Sequence, residues 1–187
     1  MSDLKTESAA DPFSEMERQG PQPFAVGYTK ASGEAIVYGG LMFGFGFVVL
    51  GLFGGMKPMA LLAIVPLLIA LWHYPLIDTK QPQLGANDDG LFVERIGFID
   101  WGSIRHLELA KTSVRSIELV TLEVDLTRPL AEAVSKRQLY PLWKSVMTRN
   151  WRAQRKEDGT DHLSVQLNTL NGPPEEILAR VKAYRPV

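Results

Sequence analysis

From Ala35 to Ile77 the chain runs forty-three residues with one charge among them, Lys57, which stands beside Pro58 in a Gly-Gly-Met-Lys-Pro turn. The turn divides the run into two halves, roughly Ala35 to Met56 and Met59 to Ile77. Each is close to the ~20 residues that an α-helix needs to cross ~30 Å of hydrocarbon. Lipid offers no hydrogen-bond partner, so both halves must be helical, and the backbone around Pro58 must lie at an interface that water reaches. The expectation is a transmembrane helical hairpin.

Averages conceal this pattern: the 187 residues carry a net charge of −1 and a mean hydropathy of −0.03. Divided at the hairpin, the chain has a polar arm (1–34) with six acids and three bases, the hairpin (35–77) and a polar portion (78–187) long enough for one domain. The arm, with Asp11-Pro12, Gly20-Pro21 and Gln22-Pro23, reads as disordered. The near-balanced charge argues against nucleic-acid binding. The absence of cysteine excludes disulfides and thiolate metal sites. The first apolar segment is too long, and begins too late, for a signal peptide, and is expected to stay as an anchor.

Basic residues near the helix ends set the expected orientation. Arg18 and Lys30 precede the hairpin, Lys80 and Arg95 follow it, and the turn has only Lys57. The positive-inside rule then places both termini in the cytoplasm and the turn outside, with Tyr38, Trp72 and Tyr74 at the inner interface.

The first half holds seven glycines, of which Gly40, Gly44, Gly51 and Gly55 share one stripe at 100° per residue. Small residues let helix backbones approach closely, so the stripe is a packing face. Its partner is either the second helix or another protein, a second copy or a larger membrane protein; Gly39, Gly46 and Gly54 lie off it. Pro66 is expected to kink the second helix.

Beyond the membrane the period becomes that of β-structure. Leu91 to Arg95, a turn at Ile96-Gly97, and Phe98 to Trp101 read as a hairpin preceded by an Asp88-Asp89-Gly90 turn. Ile104 to Ala110, Ser116 to Asp125 and Leu163 to Leu167 supply further strands. Ile99 and Trp101 share a strand face, which makes Trp101 a core residue sooner than a ligand platform. A C-terminal helix follows, with Pro173 and Pro174 in its first turn, Glu175 and Glu176 at its positive end, and Ile177, Leu178, Val181 and Tyr184 on one face. The fold class expected is α+β: a two-helix hairpin, then a small β-barrel or sandwich with one C-terminal helix.

Several of these stretches are similar to a known group. The hairpin, Pro75 to Asp78, Gly90-Leu91, Gly97-x-Ile99-x-Trp101-x-x-Ile104, Gly159-Thr160, Asn168 to Leu170 and the Glu-Glu-Ile-Leu helix ending in Ala183-Tyr184 resemble bacterial membrane proteins with a pleckstrin-homology-like domain behind a transmembrane hairpin, in particular an uncharacterised subgroup. The resemblance covers about residues 35 to 187. It implies a pleckstrin-homology-like fold and the bacterial inner membrane, and it carries no activity, ligand or catalytic residue. The stretch from Leu126 to Asp158 departs from a plain seven-stranded pattern.

Within that stretch Leu139, Leu142, Trp143, Val146, Met147 and Trp151 recur at helical spacing, and seven bases stand against three acids between Pro129 and Asp158. A basic amphipathic helix is expected, with Trp143, Lys144, Arg149, Trp151, Arg152 and Arg155 contacting either an anionic leaflet or a partner. The competing reading packs both tryptophans on the β-domain and leaves the bases solvated.

Catalytic patterns are absent from the sequence: there is no His-Glu-x-x-His, no phosphate-binding Gly-x-x-x-x-Gly-Lys and no Gly-x-Ser-x-Gly elbow. His73, His106 and His162 are isolated along the chain. No enzyme, metal or cofactor is expected. Two functional readings stand: a membrane-anchored binding or scaffold module, and an accessory subunit of a larger complex docking through the glycine face.

Overall fold

A computed structural model describes residues 21–30, 33–114 and 117–184. Nine strands, five helices and three 3-10 turns are found among them. Strand β1 (Phe24–Val26) leads into helix α1 (Glu34–Leu52); α2 (Lys57–Leu62), α3 (Ile64–His73) and a 3-10 turn (Tyr74–Ile77) lead back. Then come β2 (Leu84–Asn87), β3 (Gly90–Val93), β4 (Gly97–Ile99), β5 (Ile104–Val114), β6 (Ile117–Leu126), α4 (Leu130–Ala133), β7 (Val134–Arg137), β8 (Trp151–Arg155), β9 (Asp161–Gln166) and α5 (Pro174–Tyr184).

The two halves of the apolar run pack on each other as a hairpin. Both are long and apolar enough to cross a membrane, and only 17% and 11% of their most apolar windows are buried. A core helix of a globular domain would be mostly covered, whereas here Phe43, Phe45, Leu50, Phe53, Leu61 and Leu68 face outward. α2 and α3 meet at Ala63, whose backbone stays helical and whose N–H still donates to the Met59 carbonyl at 3.1 Å, so the second half runs on through the junction. Pro66 has no N–H for the carbonyl of Leu62, four residues earlier, and so removes one helical bond there.

The strands form two antiparallel sheets, β1-β2-β3-β4-β7 and β5-β6-β9-β8, enclosing one core in a sandwich-like arrangement. Leu84, Leu91, Val93 and Ile99 meet Leu107, Leu122, Val124, Leu163 and Val165 there, all fully buried. Alternation on β6 buries Val120, Leu122 and Val124 and turns Thr121, Glu123 and Asp125 outward. Ile177 and Val181 of α5 are buried against the core, and Tyr184 stacks on Trp101 at 5.9 Å between ring centroids. Trp101 donates its Nε1–H to the carbonyl of Asn87.

Two expectations need correction. The polar arm was expected to be disordered over 1–34, of which residues 1–20 and 31–32 lie outside the described residues. From Phe24 to Val26, however, the arm is a strand paired with β2, and Tyr28 bridges to Leu170; all three of Phe24, Val26 and Tyr28 are buried. Apolar residues at alternate positions complete a sheet that has no other edge partner for β2. The domain therefore begins before the hairpin, not at residue 78. The strand count, left open by the sequence, is nine among the described residues, with β7 and β8 arising from the stretch that departed from the seven-stranded pattern. Finally, the basic helix is absent: Leu142–Val146 is a 3-10 turn and Trp151–Arg155 is strand β8.

Candidate functional site

The registers show which end of the domain carries the hairpin. Val26 pairs with Leu84, Leu84 with Val93, Val93 with Gly97 and Gly97 with Arg137. The hairpin leaves beyond Val26 and returns before Leu84, so this end also carries the Glu94–Ile96 turn and the start of the long β7–β8 loop. The acidic turns, with Asp88-Asp89 and Glu157-Asp158, lie at the opposite ends of their strands.

At the hairpin end Arg95 organises the β7–β8 loop. Its backbone is in the left-handed region (φ 66°), a conformation disfavoured by about 1–2 kcal/mol for a residue with a Cβ. The Arg95 side chain is nevertheless buried. Its two terminal nitrogens donate to the carbonyls of Met147 (3.0 Å) and Thr148 (2.6 Å), and its backbone N–H donates to Gln138 Oε1 (2.6 Å). Glu94 lies alongside, with Oε2 2.9 Å from Arg95 Nε. Burial pushes the Glu94 carboxyl above its usual range, and the adjacent guanidinium partly offsets this. Burial likewise raises the phenol of Tyr28. Trp151 donates its Nε1–H to the Glu94 carbonyl at 2.8 Å.

The loop is also bonded to the hairpin. The N–H of Thr148 donates to the carbonyl of Trp72 at 2.9 Å, using one of the orphan acceptors in the last turn of α3. Lys144 donates to Gln81 in the segment that leads from the hairpin to β2. Met147 is buried, but the loop ahead of it is not: Leu139 is 96% exposed, Leu142 88%, Val146 59% and Trp143 52%.

The candidate residues therefore separate. Trp143, Lys144, Arg149 and Arg152 stand at the hairpin end, with Arg149 stacked 4.5 Å from the Trp151 ring. Trp151 is half-buried against the core. Arg155 sits at the far end of β8 and pairs with Asp161 at 3.6 Å. A helical reading had put all six on one element; strand pairing of β8 with β9 spreads them over two ends.

In the hairpin, a Cβ on Gly40 would stand 2.8 Å from the Pro66 carbonyl, one on Gly44 2.6 Å from Leu67, and one on Gly51 2.6 Å from Ala60. These three face the second helix, so the docking reading of the stripe finds its face already covered. Gly55 is not part of it; at φ 69° it makes the turn.

A second cluster escaped the sequence reading. His162 lies between two carboxylates on the outer face of the second sheet, Nδ1 2.6 Å from Asp125 and Nε2 2.7 Å from Glu123. Pairing of β6 with β9 sets Asp125 opposite His162, and no spacing along the chain foretells that. Ser164 donates to Glu123, and Lys156 donates to Asp125, which with His162 holds the Asp125 carboxyl below its usual range. No group of three or more metal-ligating side chains is arranged for a metal among the described residues.

No protein-family model matches the chain, and comparison with curated proteins and with solved structures gives no match either. Fold and site define an α+β protein in which an apolar helical hairpin is rooted in a two-sheet domain.

Proposed function

We propose that this chain is a non-enzymatic, membrane-anchored binding or scaffold module of the bacterial inner membrane, with a pleckstrin-homology-like domain in the cytoplasm. The observation that carries the reading is the pairing of β1 with β2 around an outward-apolar hairpin. Two strands of one sheet that flank a spanning hairpin must lie on the same side of the bilayer. The basic residues flanking the hairpin favour the cytoplasmic side. Two antiparallel sheets closed by a C-terminal helix support the pleckstrin-homology-like reading, while the nine strands extend it.

Because the chain has no cysteine, single cysteines report topology cleanly. The full-length protein is expected to resist alkaline carbonate extraction. A membrane-impermeant maleimide should label Lys57→Cys in intact cells and Glu157→Cys only after permeabilisation. Release by carbonate, or labelling of Glu157→Cys in intact cells, overturns the reading.

A further inference from the structure

We propose that the β7–β8 loop is a second membrane contact: Leu139, Leu142, Trp143 and Val146 enter the headgroup–acyl boundary of the leaflet from which the hairpin emerges. The hairpin then does not merely tether the domain, and the two contacts together fix its orientation on the surface. The inference rests on the membrane-anchored reading above.

Four observations carry it. The loop is apolar where connecting segments are ordinarily polar, and four of its apolar side chains, Leu139, Leu142, Trp143 and Val146, are more than half exposed. It is held, not slack: Arg95 fixes two of its carbonyls, Met147 plugs into the domain, and a buried charged side chain is committed to that geometry. It is continuous with the hairpin, because the Thr148 N–H bond to the Trp72 carbonyl brings its backbone to the root of the second helix. Trp72 and Tyr74 are exposed at that root, and Trp143 extends the same aromatic layer, where an indole keeps its ring in lipid and its N–H in water. Lastly, Arg149 and Arg152 are exposed just behind the loop, where cations meet anionic headgroups, while the acidic turns are at the other end of the strands. A partner protein would find the same apolar side chains, but the covalent hairpin already fixes this end of the domain beside lipid.

The test is collisional accessibility of nitroxide labels on the full-length chain in vesicles containing anionic lipid. Leu142→Cys and Val146→Cys are probed, with Phe43→Cys on the outer face of α1 as the lipid reference and Glu157→Cys in the β8–β9 turn as the water reference. All four positions are exposed, so labelling leaves the core intact. The expected result is that labels at 142 and 146 collide more with oxygen than with a water-soluble nickel chelate, as at 43, with the order reversed at 157. Water-type values at 142 and 146 with lipid-type values at 43 overturn the loop contact and leave the anchor standing. Water-type values at 43 as well overturn the anchored reading itself. Spin–spin broadening at 142 that vanishes on dilution with unlabelled protein would assign the loop to a second copy and overturn the lipid contact.

Discussion

Arg95 joins several parts of the fold through one buried polar side chain. It holds a left-handed turn, neutralises Glu94 inside the domain and fastens the loop to the hairpin end. Removing one member of a buried ion pair leaves the other uncompensated, so Arg95→Met is expected to lower stability by about 3–5 kcal/mol. The double variant with Glu94→Gln should recover part of that loss, as measured by denaturation of the full chain in detergent; equal loss in single and double variants would mean that the carbonyl bonds, not the charges, dominate. Asp125 and Glu94 respond to pH with opposite signs. The Asp125 carboxyl is held below its ordinary 3.8, so its contribution is present above that value and fades as pH falls below it. Glu94 is raised above 4.5, so its ionisation in the fold opposes stability as pH rises from 4.5 through the higher native value. Asp125→Asn should cost about 1 kcal/mol or less at pH 7 and nothing once both forms are protonated, which pH-stepped denaturation checks.

Among the elements, the hairpin depends on close backbone approach. Gly44→Leu forces a side chain into Leu67 and is expected to destabilise by about 1–3 kcal/mol. Gly46→Leu, which meets open space, should change stability little in the same detergent unfolding assay. The stripe was legible because helical angles follow from sequence spacing alone. Which surface covered it was not, since that depends on where the turn sends the second helix. The stretch 139–156 shows the opposite case. Its spacing suits a helix, yet Pro141 interrupts the chain, Arg95 captures the carbonyls of Met147 and Thr148, and β9 offers a free edge to Trp151–Arg155. Arg95 is distant in sequence and β9 is the next strand along the chain; together with Pro141 they outweigh local helical periodicity.

For the whole molecule, the hairpin is an insertion between two strands of one sheet. A fragment of residues 78–187 lacks β1, exposes the β2 edge and uncovers the sites of Phe24, Val26 and Tyr28, whose burial is worth about 1.5–3 kcal/mol each. That fragment is expected to aggregate. Joining residues 21–30 to it through a short linker should restore a monomer with a cooperative melt, read by light scattering and circular dichroism. A monomeric, cooperative 78–187 fragment would show β1 to be dispensable.

The sequence by itself determined the apolar hairpin, the pairing of β3 with β4 though not the position of its turn, the alternation of β6 and the amphipathic face of α5. Each rests on a period of two or 3.6 residues, or on the thickness of a bilayer, and needs no knowledge of a partner. Only the tertiary structure decided that three arm residues complete the first sheet, that Arg95 is buried beside Glu94, that His162 meets Asp125 and Glu123, and that the expected basic helix is a turn, an exposed loop and a strand. Those outcomes depend on pairings across tens of residues, where free edges, unpaired carbonyls and buried charges must all be satisfied at once.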